Sequence, residues 1–143
     1  MPGKIVTFYS YKGGTGRSMA LANVAWILAA NNNKVLTIDW DFEAPGLHRY
    51  FLPFLKDTEL EETKGLIDLL WDYVDLALMD RSEWPIGVND PADIADAQRY
   101  AVPLEFPFES SKGCLHFLCA GLQDAKYGKK VRDFDWTAFY ERL

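Results

Sequence analysis

Lys4-Ile5-Val6-Thr7-Phe8-Tyr9-Ser10-Tyr11-Lys12-Gly13-Gly14-Thr15-Gly16-Arg17-Ser18 is the stretch that decides the fold. Its apolar, β-branched and aromatic run, Ile5 to Tyr9, is bounded by charge before and glycine after, and reads as a buried strand. Met19 to Ala30 follows as a stretch of good helix formers with one polar residue, Asn23. Asn31-Asn32-Asn33 breaks that pattern, and Val35-Leu36-Thr37-Ile38 makes a second strand that ends on Asp39 and Asp41. Strand, glycine-rich loop, helix and strand predict a βαβ unit with a phosphate-binding first turn.

Gly13, Gly14 and Gly16 allow backbone conformations that residues with a Cβ avoid, so N–H groups can converge on phosphate oxygens. A helix from about Ser18 adds its own free N–H groups and the positive end of its dipole. Arg17 supplies a fixed positive charge, and the Ser18 hydroxyl is placed to ligate Mg²⁺. The usual phosphate loop reads GxxxxGK[ST]. Here Tyr11 stands at the first glycine and Arg17 at the lysine, so the strict pattern fails. The plain alternative is a glycine-rich turn that binds nothing. The placement of Asp39 argues against it, because a carboxylate directly after an apolar strand is buried at a cost unless a cation is close.

Lys12-Gly13-Gly14-Thr15-Gly16-Arg17-Ser18 resembles the deviant Walker A motif of the ParA/MinD superfamily, KGGxxK[ST]. Tyr9-Ser10-Tyr11 before it and Met19-Ala20-Leu21-Ala22-Asn23 after it resemble a bacterial subgroup with arginine at the lysine position, the KGGVGR-type variant ATPases. The resemblance is close over residues 1–50 and extends weakly to Leu115–Ala120, which is similar to the family's third strand. It implies a three-layer α/β/α P-loop NTPase fold with a mainly parallel sheet, incomplete in this chain, and ATP and Mg²⁺ as cofactors. It implies that Lys12, Gly13, Gly14, Thr15, Gly16, Arg17 and Ser18 cradle the nucleotide and that Ser18 and Asp39 serve Mg²⁺. Asp41 would orient the attacking water, and Lys12 would reach across a dimer interface to the partner's nucleotide. The function so implied is a Mg-ATP-binding switch ATPase, an ATP hydrolase whose nucleotide-dependent homodimer controls a protein partner. The alternative is a non-hydrolysing nucleotide-binding or interaction fragment, with turnover lost to Arg17 and truncation.

The 143 residues suffice for one domain with a core, and 49% hydrophobic against 25% charged content is globular rather than disordered. No apolar run reaches membrane-spanning length and no basic segment precedes a cleavage site, so a cytoplasmic protein is expected. Cys114 and Cys119, spaced C-x₄-C, fit no metal pattern and read as reduced core thiols. The net charge of −6 is uneven: residues 57–110 hold fourteen acidic and three basic side chains. That block argues against nucleic-acid binding through the middle of the chain.

The rest of the chain carries fewer signals. Pro45-Gly46 ends the segment after Asp41, and Leu47 to Phe54 reads as a helical turn with His48 given no role. Leu66 to Leu76 is an amphipathic helix whose Asp68, Asp72 and Asp75 are expected to form a solvent stripe. Asp90-Pro91 starts a short helix through about Tyr100. Pro103 and Pro107 make Val102 to Phe108 an extended connection rather than a central strand. Cys114 to Ala120 is a third strand, with His116 as a core histidine, and Asp135 caps a helix from Trp136. After Asp39 no apolar strand ends in aspartate, since the nearest mimic, Val74 to Asp80, is helical in pattern. The expectation is one nucleotide-binding domain over 1–143, the N-terminal part of a longer ATPase that lacks the Walker B element.

Overall fold

The computed structural model describes residues 3–93, 96–106 and 112–142. Helix α1 (Arg17–Ala30) leads into strand β1 (Lys34–Ile38), and helix α2 (Leu66–Leu78) follows after single-turn 3₁₀ pieces at Leu47–Tyr50 and Leu52–Phe54. Strand β2 (Val102–Pro103), strand β3 (Cys114–Leu118) and helices α3 (Tyr127–Asp133) and α4 (Trp136–Arg142) complete the order. The sheet runs β1-β3-β2. β1 and β3 are parallel from Lys34↔Cys114 to Ile38↔Leu118, whereas β2 is antiparallel to β3, with Val102 opposite Phe117. The Asp39 N–H donates to the Leu118 carbonyl at 2.9 Å, which carries the pairing one step past β1.

This corrects the expected three-layer fold with a mainly parallel sheet: among the described residues the sheet is short, three-stranded and mixed. Ile5 to Tyr9 is not a strand. Ile5 is 96% exposed and Tyr9 81% exposed. Strand propensity forms no strand without a ladder partner. One edge of β3 is taken by β1, and the other by Val102–Leu104, where the Leu104 N–H donates to Leu115 at 2.9 Å. Pro103 is tolerated there because this is the sheet edge.

Two further expectations change. Among the described residues the expected helix from Asp90 to Tyr100 is present only as 3₁₀ turns at Pro91–Asp93 and Ala97–Arg99, and positions 94 and 95 lie outside the described residues. Asp90 and Asp96 accept the N–H groups of Ala92 and Gln98, local bonds that compete with continued helix. Asp68 is not part of a solvent stripe but is buried. Its Oδ2 accepts the Gly65 and Leu122 N–H groups, and its Oδ1 the Lys130 ammonium.

Side chains of β3 alternate between two clusters, as strand geometry requires. Leu115 and Phe117, with Cys119 just past the strand, join Ala22, Ala25 and Ala29 of α1 with Leu47 and Phe51. Leu118 instead joins Leu66, Ile67, Leu69 and Leu70 of α2 with Phe134. α1 buries its alanine face, while Ile27 remains 60% exposed, so the helix packs on one side. Small residues set the close approaches. A Cβ on Gly65 would lie 2.4 Å from the Cys119 carbonyl oxygen, which lets the first N–H groups of α2, Leu66 and Ile67, bond Cys119 and Ala120. Among the described residues no helix is long and apolar enough to cross a membrane.

Candidate functional site

In the loop from Ser10 to Arg17, Ser10 is half-buried and Tyr11 to Thr15 are exposed, and left-handed backbone at Gly14 (φ 71°) and Gly16 (φ 79°) bends it into α1. A Cβ on Gly13 or Gly14 would meet nothing within 4 Å, so the loop faces open space. The first helical bond is Ala20 N–H to Gly16 carbonyl, which leaves the N–H groups of Arg17, Ser18 and Met19 ahead of it. No side chain caps this end, and its first turn has no acid. The contrast with α2 is physical: there the leading N–H groups are already bonded to the chain after β3.

Arg17 links the loop to the end of β1. Its guanidinium donates to the Ser10 carbonyl at 2.8 Å and lies 3.9 Å from the Asp41 carboxylate. Ser10 in turn bridges Lys12, its hydroxyl donating to the Lys12 carbonyl at 2.9 Å and accepting the Lys12 N–H at 3.1 Å. The Lys12 ammonium lies 5.7 Å from the centre of the exposed Tyr11 ring, in cation–π range. Ser18 is half-buried at the second helical position.

Asp39 and Asp41 organise the chain that follows β1. Asp39 accepts N–H from Asp41 (3.2 Å), Gly46 (3.2 Å) and Leu47 (3.1 Å), so it ties both ends of the 39–47 loop together. Burial pushes its carboxyl above the usual range, the three N–H groups oppose this, and the Asp41 charge adds to the rise. Asp41 is exposed and accepts the Ala44 N–H at 3.1 Å. Arg17, Asp39 and Asp41 are therefore assembled at the carboxyl end of β1, while Lys12 to Thr15 stand out toward solvent.

The sequence reading missed the groups that brace this end of the sheet. The Tyr127 hydroxyl donates to the Phe42 carbonyl at 3.1 Å. The Tyr100 hydroxyl donates to Asp72 at 2.6 Å, and Lys64 pairs with the same carboxylate at 3.4 Å. Burial pushes the Asp68 carboxyl up, but Lys130 and the N–H groups of Gly65 and Leu122 outweigh it and hold it below the usual range. The signal for Asp68 was its place three residues after Gly65, a half capping box that reaches back to the Gly65 N–H. Nothing local marks Tyr127. Both cysteines are free thiols, and burial pushes Cys119 up to about 12, which keeps it unreactive. Among the described residues no group of three or more His, Cys, Asp or Glu could hold a metal ion. Comparisons of the chain with protein-family models, with curated proteins and with solved structures found no match.

The chemistry of these residues is compatible with phosphate oxygens and with a single contact to Mg²⁺. Uncapped N–H groups, a guanidinium and an unobstructed glycine loop are an anion-binding set. Three of the roughly four lone-pair directions of Asp39 are taken, which leaves about one for a cation or its water. Mg²⁺ asks little more of a protein, since it keeps waters and phosphate oxygens as its other ligands.

Proposed function

We propose that this chain binds Mg-ATP through Lys12 to Ser18 and acts as a nucleotide-dependent switch of the ParA/MinD type. The observation that carries the reading is the juxtaposition of an uncapped helix start, Arg17 and the Asp39–Asp41 pair at one end of β1. The backbone N–H groups of the loop and of Arg17 and Ser18 hold phosphate oxygens. Arg17 leaves its exposed contact with Asp41, which at 3.9 Å is weakly held, for a full negative charge. Ser18 and Asp39 would hold Mg²⁺, and Asp41, freed from Arg17, would accept a hydrogen bond from the attacking water. Bound Mg-ATP supplies the reactive phosphoryl group and a divalent charge that stabilises its transfer.

Lys12 is exposed and free to meet a second copy of the chain. A cation that arrives only when two copies face each other makes dimerisation report nucleotide state. The reading goes with a cytoplasmic setting and a protein partner that recognises the dimer. Light scattering tests it: mass doubles with a slowly hydrolysed ATP analogue and Mg²⁺ but not with ADP, and Lys12→Ala stays monomeric. A mass that ignores the nucleotide contradicts the switch.

A second reading, nucleotide binding without turnover, is favoured by the exposure of Tyr11 to Thr15, which leaves the loop open to water. Single-turnover measurement of phosphate release separates the two.

A further inference from the structure

Tyr127 is distant in sequence from the Asp39–Leu47 loop, yet its hydroxyl donates to the Phe42 carbonyl, one residue past Asp41. The ring is held in place. It packs on Gly121, where an added Cβ would come within 3.0 Å of ring atom Cε2. One turn along α3, Lys130 is paired with the buried Asp68 of α2, so the helix that carries Tyr127 is itself anchored. Burial and then the charge of Asp39 push the phenol up to about 12, so it remains a hydrogen-bond donor at neutral pH.

The bonds made by the loop's two carboxylates are local. Asp39 and Asp41 take the N–H groups of residues 41, 44, 46 and 47. Among the described residues, Arg17 at Asp41 and Tyr127 at Phe42 reach it from other elements through polar side-chain contacts. They differ in what can displace them. A phosphate offers Arg17 an anionic partner in place of the Asp41 carboxylate, whereas Tyr127 reaches the loop through a neutral backbone carbonyl and does not depend on that charge. The Tyr127 tie therefore persists when the Arg17 tie is given up. Phe42 is also packed near Trp136, with ring centres 5.3 Å apart, so the carbonyl sits on a fixed residue.

We propose that Tyr127 is a positioning residue for Asp41: by holding the Phe42 carbonyl it keeps the Asp41 carboxylate in place once Arg17 turns to phosphate. The proposal rests on the reading that Lys12 to Ser18 bind Mg-ATP, and it assigns α3 a part in controlling that site. Asp41 then faces water from a loop that Asp39 closes and that α3 holds at Phe42.

The test is Tyr127→Phe, which removes the hydroxyl and keeps the ring on Gly121. Hydrogen exchange is measured over residues 40–47, with and without a slowly hydrolysed ATP analogue and Mg²⁺, beside calorimetry and steady-state kinetics. Exchange in that segment rises about fivefold in the variant, while α2 and β3 exchange as in the wild type. Analogue affinity changes by less than about twofold, and kcat falls about tenfold at unchanged KM. If the wild type turns nothing over, the exchange arm decides alone. Normal nucleotide binding with a variant loop and kcat indistinguishable from wild type overturns the proposal by itself. A wild type that binds no nucleotide in calorimetry overturns the Mg-ATP reading, and the proposal with it.

Discussion

Replacing Asp39 separates its loop-holding bonds from the proposed role of metal ligand. Asp39→Ala removes the acceptor of three N–H groups. Those of Asp41 and Gly46 lie on residues that water reaches, so each loss costs about 0.5 kcal/mol, whereas the Leu47 N–H is on a buried residue and costs about 2 kcal/mol. The expected total is about 3 kcal/mol. Asp39→Asn can keep its oxygen toward Gly46 and Leu47 and turn its amide nitrogen toward the Asp41 N–H. It also relieves the burial of a charge, so its cost is about 1 kcal/mol. Urea unfolding reads both as midpoint shifts at unchanged slope. Asn is nearly isosteric but neutral, so it preserves the loop and weakens the Mg²⁺ dependence of nucleotide binding as much as Ala does. Equal destabilisation by Ala and Asn would refute the loop-holding role, and unaltered Mg²⁺ dependence in Asn would refute the metal role.

Other variants probe separate parts of the account. Asp68→Ala leaves Lys130 and two backbone N–H groups without their acceptor, an expected loss of about 4 kcal/mol in urea unfolding. Because the folded carboxyl of Asp68 is held below its ordinary value, its contribution is full above that ordinary value. It is lost as pH falls through the lowered folded value. Wild-type stability thus falls in acid, and Asp68→Asn flattens that slope; equal slopes would contradict the assignment. Asp41→Ala binds ATP within about twofold of wild type but loses turnover, since a group that orients water acts in the transition state.

The elements legible in the sequence were those fixed by local pattern. α1 and α2 follow from helix formers bounded by glycine and asparagine, and β1 and β3 from short apolar runs between turn residues. Ile5 to Tyr9 carries the same pattern as β1, but a strand is made by its neighbour, and none of the described residues pairs with it. Asp68 was misread because helical spacing gives a face and not its surroundings; Lys130, sixty-two residues on, neutralises it there. In the candidate site, Gly14, Gly16, Arg17, Asp39 and Asp41 were local signals and the structure brings the last three together. Tyr127 depends on a contact across eighty-five residues, which no window of sequence displays.

Calorimetric titration of Mg-ATP into the wild type, Arg17→Ala and Arg17→Lys tests the central claim most directly. The loop's N–H groups alone leave most of the phosphate charge uncompensated, and a charge-assisted pair contributes about 1.5–3 kcal/mol, or about 10- to 150-fold in affinity. The account predicts saturable binding by the wild type, retention in Arg17→Lys and loss in Arg17→Ala. Binding of ATP by Arg17→Ala as tight as that of the wild type, or no binding by the wild type, would contradict it.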